Sequence, residues 1–113
     1  MWYILDDHGD PVGPVDMRTF AEWREARTIR GSDYDALKWP LRVAWNHLDD
    51  GTIVSTVFLG LDHSWGHGPP LLYETMVFDP GGDEAGCWRE SNRHAALARH
   101  DQVLTALRLG DVP

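Results

Sequence analysis

The stretch LRVAWNHLDDGTIVSTVFLGL, residues 41–61, decides the fold. Residues 41–48 read as a strand and 52–61 as its partner. Between them Asp49, Asp50 and Gly51 form a hairpin turn, because Asp-Gly tolerates the positive φ that a tight reversal needs. The second strand alternates two sets, Ile53, Ser55, Val57, Leu59 and Val54, Thr56, Phe58, Gly60. Both are mostly apolar or neutral, so this strand is expected at the centre of a sheet, covered on both faces.

Working outward, DHSWGHGPP (62–70) is a loop and LLYETMVF (71–78) the next antiparallel strand. DPGGDEAG (79–86) reads as a turn and CWRES (87–91) as a short edge strand. Ser91 or Asn92 then caps a helix over 93–108 that ends before Gly110. On the other side, WYILD (2–6) reads as a strand and DHGDPVGP (7–14) as turn material with two Gly and two Pro. Asp16 caps a helix over 17–27, with Met17, Phe20, Ala21 and Trp23 along one side. TIRGSDYDALKWP (28–40) is a breaker-rich loop, read either as mobile or as carrying its own contact surface. The expected order is β-α-β-β-β-β-α. This is an α+β domain, 1–113, with two helices packed on a small antiparallel sheet of about four to five strands.

The bulk numbers narrow the function classes. At 113 residues the chain suits one domain and can bury a core without metal or disulfide staples. Six Trp is a high count, and some indoles are expected on a contact surface. A net charge of −8 repels phosphate, so direct nucleic-acid binding is not expected. Cys87 is the single cysteine, which excludes an intrachain disulfide and a Cys-rich zinc cage. The opening MWYILDDHGD lacks a basic n-region and a sustained apolar run, so no signal peptide is read there. No stretch has the roughly 18 apolar residues of a membrane span. A bacterial cytoplasm is the expected location.

The polar residues that break the apolar pattern are the candidate site. Glu74 lies between Leu72 and Met76 on one strand face. His100 lies in the apolar stripe of the last helix, with Ala96, Val103, Leu104 and Leu107. If that helix covers the face carrying Glu74, then Asp62, His63, Glu74 and His100 converge, with Arg89 as a further member. A carboxylate in an apolar layer is costly unless paired, so Glu74 is expected to be sheltered and matched by an imidazole or guanidinium. Glu74→Ala is then expected to cost about 1–3 kcal/mol.

Such a cluster is either a structural network or an acid/base site. Ser64 and Thr75 lack a nucleophile-elbow sequence. His63 and His67 have helical ligand spacing, but Gly66, Gly68, Pro69 and Pro70 exclude the helix, so no metal is expected. The Gly/Pro loop has no phosphate-cradling pattern, and no cofactor is expected. Trp65 is either a lid over the polar cluster or an exposed anchor for a partner. Trp39 is a second candidate anchor.

VSTVFLGLDHSWGHGPPLLYETMVF (54–78) resembles the signature of a family of small proteins from actinobacterial phages and prophages. The likeness covers Val54–His63 and Gly68–Phe78, with Tyr73 at an aromatic position. More loosely, Asp16–Trp23, Arg42-Val43-Ala44 and Ala98–Asp101 resemble the family's flanks. Trp88-Arg89-Glu90 stands where the family tends to have an Arg-Tyr segment. The resemblance implies a phage-encoded accessory protein without an assigned reaction. Trp2-Tyr3 with Gly13-Pro14-Val15 also resembles the opening of a bacterial GYF-like peptide-binding module, over about a quarter of the chain. The leading expectation is a non-enzymatic protein that binds and modulates a host or phage protein. Beside it stand a small enzyme using Asp62, His63, Glu74 and His100, and an acidic decoy of a nucleic-acid-binding protein. Oligomeric state is left open by the sequence.

Overall fold

The structure, a computed structural model, describes residues 1–27 and 41–110. Among the described residues the fold is α+β, with six strands in two antiparallel sheets and two helices. Strands β1 (Trp2–Leu5) and β2 (Pro11–Val15) form a small hairpin. Helix α1 (Met17–Arg27) follows. The larger sheet has the order β3 (Arg42–His47), β4 (Ile53–Phe58), β5 (Tyr73–Phe78), β6 (Glu84–Glu90), each strand beside its sequence neighbour. Helix α2 (Arg93–Arg108) closes the described chain.

Both helix starts behave as the sequence dictates. The Asp16 carboxylate accepts the Thr19 amide at 2.7 Å, and the Asn92 side chain accepts the Ala95 amide at 2.8 Å. In the β3–β4 turn, Gly51 has φ +96°, and Asp50 accepts the Thr52 amide at 2.8 Å. The turn chemistry read from Asp-Gly is therefore the one used.

Three readings change. Residues 11–15 form a strand rather than part of a turn. Its two prolines are tolerated because it pairs only with β1. The last strand begins at Glu84, three residues earlier than expected. Glu84, Ala85 and Gly86 are weak strand formers, but the Trp88 ring lies over Gly86, where a Cβ would come within 2.6 Å of it. The third change concerns the central strand. β4 does sit between β3 and β5, yet among the described residues only one of its faces is fully covered.

That covered face carries Val54, Thr56 and Phe58 of β4 with Tyr73, Thr75 and Val77 of β5, all buried beneath α2. From α2, Ala96, His100, Val103 and Leu104 point into this layer. At one end of the sheet, Phe20 and Trp23 of α1 join Phe58, Leu72 and Tyr73, with Trp2 stacked on Phe20 at 4.6 Å. Gly60 makes this join feasible: it has φ +78°, and a Cβ there would lie 2.3 Å from the Phe20 ring. The small hairpin is tied to the same place, because the Tyr3 amide donates to the Gly60 carbonyl at 2.7 Å.

Candidate interaction surface

The expected polar cluster separates into three groups. Glu74 and His100 lie on opposite faces of the sheet, because α2 covers the face of Thr75, one residue out of phase with Glu74. Glu74 is indeed matched by a guanidinium: Arg89 Nε donates to its Oε2 at 3.0 Å from the directly opposite position on β6. The Glu74 side chain is 14% exposed and that of Arg89 42%. The shelter comes from this cross-strand pair and its neighbours, not from the closing helix.

His100 has its own network beneath α2. Its Nδ1 lies 2.7 Å from Thr56 Oγ1 and its Nε2 2.8 Å from Asn46 Oδ1, while Thr56 Oγ1 is 2.7 Å from Thr75 Oγ1. The Asn46 carbonyl oxygen only accepts, so Nε2 carries the proton and Nδ1 accepts from the Thr56 hydroxyl. Thr56 therefore accepts from Thr75. The result is a directed chain, Thr75 to Thr56 to His100 to Asn46. Burial pushes the His100 pKa below its ordinary value, with Asp101 opposing weakly. This chain locks α2 to three strands and presents no reactive group to solvent: Thr56, Thr75 and His100 are all buried.

The third group organises the 62–70 loop. The Asp62 carboxylate accepts the Ser64 amide at 2.7 Å, the Leu71 amide at 2.9 Å and the Ser64 hydroxyl at 3.0 Å. These bonds, the Ser64 amide first, hold its pKa below the usual carboxylate range. His63 Nδ1 lies 2.7 Å from the Leu61 carbonyl oxygen. Asp62 thus ties both ends of the loop together. At its tip Trp65 has φ +55°, rare for a non-glycine residue, and is 76% exposed. Its contact with the His63 ring, 6.3 Å between centroids, is edge-on. The indole faces outward and does not cover Glu74 or His100. Trp39, the other proposed anchor, lies outside the described residues. Among the described residues no group of three or more His, Cys, Asp or Glu is placed to hold a metal ion.

A second surface was not anticipated. The face of the large sheet opposite α2 is apolar, half-exposed and without a covering layer among the described residues. Register aligns three rows across it. Arg42, Val57, Glu74 and Arg89 form one end; Trp45, Ser55, Met76 and Cys87 the middle; His47, Ile53, Phe78 and Glu84 the other end. Trp45 is exposed, with the Arg42 guanidinium 5.3 Å from its ring centroid. Near the first row, Leu41, Leu59, Val57 and Met76 line a cleft of about 370 Å³, with Arg24, Ser55 and Glu74 at its polar positions. The sequence did hold a signal for this surface. Both alternating sets of β4 are apolar, and a sheet with a single covering helix leaves one such set facing water.

No protein-family model, curated protein or solved structure matches the chain. No described helix is long and apolar enough to cross a membrane.

Proposed function

We propose that the chain is a non-enzymatic interaction protein, a phage-encoded accessory factor that binds and modulates a host or phage protein in the bacterial cytoplasm. The observation that carries this reading is Trp65. A large aromatic side chain held at 76% exposure, on a loop braced by three hydrogen bonds to one carboxylate, is a preorganised anchor. Preorganisation lowers the entropy lost on binding, and buried Trp anchors dominate many interfaces. Holding Trp65 at positive φ costs conformational energy that no core contact of its indole repays. The phage assignment rests on the likeness of residues 54–78 to the phage signature.

The acid/base alternative needed Asp62, His63, Glu74 and His100 around one space, and each instead has separate partners. The test is affinity capture from host lysate with the wild-type chain and with Trp65→Ala. One defined protein retained in stoichiometric amount by the wild type, and lost by a variant of unchanged melting temperature, supports the reading. The same protein captured equally by both removes Trp65 as the anchor. Retention of none by the wild type counts against the function.

A further inference from the structure

We infer that the open face of the β3–β6 sheet binds a second copy of itself, giving a weak two-fold dimer packed sheet against sheet. Two observations carry this beyond the bare exposure of an apolar face. The first is charge. Between Val43 and Trp88 there is no Lys or Arg, while Arg42 and Arg89 stand at the two outer positions of one row. At the opposite end the β3–β4 and β5–β6 turns lie side by side: a Cβ on Gly51 would be 3.3 Å from Pro80. These turns and the start of β6 carry Asp49, Asp50, Asp79, Asp83 and Glu84. In the first row Glu74 pairs with Arg89, leaving two guanidinium groups against one carboxylate, so the face is apolar in the middle, net basic at one end and acidic at the other.

The second observation is symmetry. A two-fold axis lying in the interface, perpendicular to the strands, places β6 over β6 and reverses its direction. Arg89 of each copy then comes over Glu84 of the other, and the apolar middle rows meet. This self-complementarity is the requirement for an isologous dimer. Packing two apolar sheet faces is also the standard solution for a sheet covered on one side. A foreign partner would need its own apolar strip with charges in the inverse order, whereas a second copy supplies both.

The size fixes the strength. Four strands at about 4.8 Å and six residues at about 3.3 Å give a patch on the order of 400 Å² per copy. That lies below the roughly 800 Å² per partner of a standard interface, so the dimer is reversible and micromolar or weaker.

The test uses sedimentation velocity on the full chain across a range of concentrations. The wild type is expected to shift from monomer to dimer and to do so less at high salt. Glu84→Arg and Arg89→Glu should each weaken self-association at least tenfold while leaving the circular-dichroism spectrum native. Mixing the two variants should restore a dimer, because each then meets the opposite charge. Met76→Lys, in the centre of the face, should abolish it. A wild type that stays monomeric up to millimolar concentration overturns the proposal and leaves the face to another molecule. A dimer that ignores Met76→Lys, or variants that fail to rescue each other on mixing, also overturns it.

Discussion

Replacing Thr56 by Val probes the network that fastens α2 to the sheet, because the two side chains have nearly the same shape. Thr56 is the middle link: its hydroxyl donates to His100 Nδ1 and accepts from Thr75, both at 2.7 Å. Thr56→Val leaves two buried groups without partners, the Thr75 hydroxyl and the His100 nitrogen. Each orphan costs roughly 1–3 kcal/mol, so the substitution should destabilise by about 2–6 kcal/mol. Thr75→Val removes only the terminal donor and should cost about 0.5–1.5 kcal/mol. The decisive quantity is the coupling. In the Thr56→Val background the Thr75 hydroxyl is already orphaned, so adding Thr75→Val should be neutral or stabilising. Urea unfolding of the wild type, the two single variants and the double variant gives all four values. Strictly additive losses would refute the directed chain from Thr75 through Thr56 to His100.

Further outcomes follow from the same geometry. An unfolded His titrates near pH 6.5, and the folded pKa of His100 lies lower, so the unfolded chain binds more protons between the two. The His100 contribution to stability should thus be flat above about pH 7 and fall as the pH drops through about 6.5. His100→Gln should flatten this slope in unfolding titrations, and an unchanged slope would contradict a neutral buried imidazole. The stability contributed by Asp16, Asp50 and Asp62, whose pKa values are lowered by hydrogen bonds, is instead lost only at more acidic pH. Gly60→Ala drives a Cβ into the Phe20 ring at a positive φ and should cost about 3 kcal/mol or more, read as a large drop in Tm. Glu74→Ala leaves Arg89 at the surface, where water can solvate it. It should cost only about 0–1 kcal/mol, less than a sheltered carboxylate beneath the helix would imply; a loss above about 2 kcal/mol would show that the pair is worth more than its exposure allows.

How far the sequence could be read depended on whether the signal was local. The Asp-Gly turn, the Asp16 and Asn92 caps and the period of α2 act within a few residues, and each appears in its expected place. The pairing of β2 with β1 and the early start of β6 depend on distant partners, Tyr3 against Gly13 in one case and β5 in the other. Composition alone pointed away from both. Within the candidate site, the need of Glu74 for a cationic partner was legible as a solvation penalty, and Arg89 supplies it. The choice between the two faces was not legible. Glu74 and Thr75 point opposite ways, and only the placement of α2 decides which is covered. The inward direction of His100 followed from the helical stripe, but its partners did not, because Thr56 and Asn46 come from strands 44 and 54 residues away in sequence.

The dimer proposed for the large sheet depends on one of its faces being open to solvent. Cys87, the single thiol and an exposed residue in the middle row of that face, reports on it directly. Burial and the neighbouring Glu74 raise its pKa, so labelling by a thiol reagent is best compared with the unfolded chain at alkaline pH, using dilute native protein. Native labelling within about tenfold of the unfolded rate is expected, since no opening is needed. Labelling that proceeds only at the rate of global unfolding would mean the face is already covered.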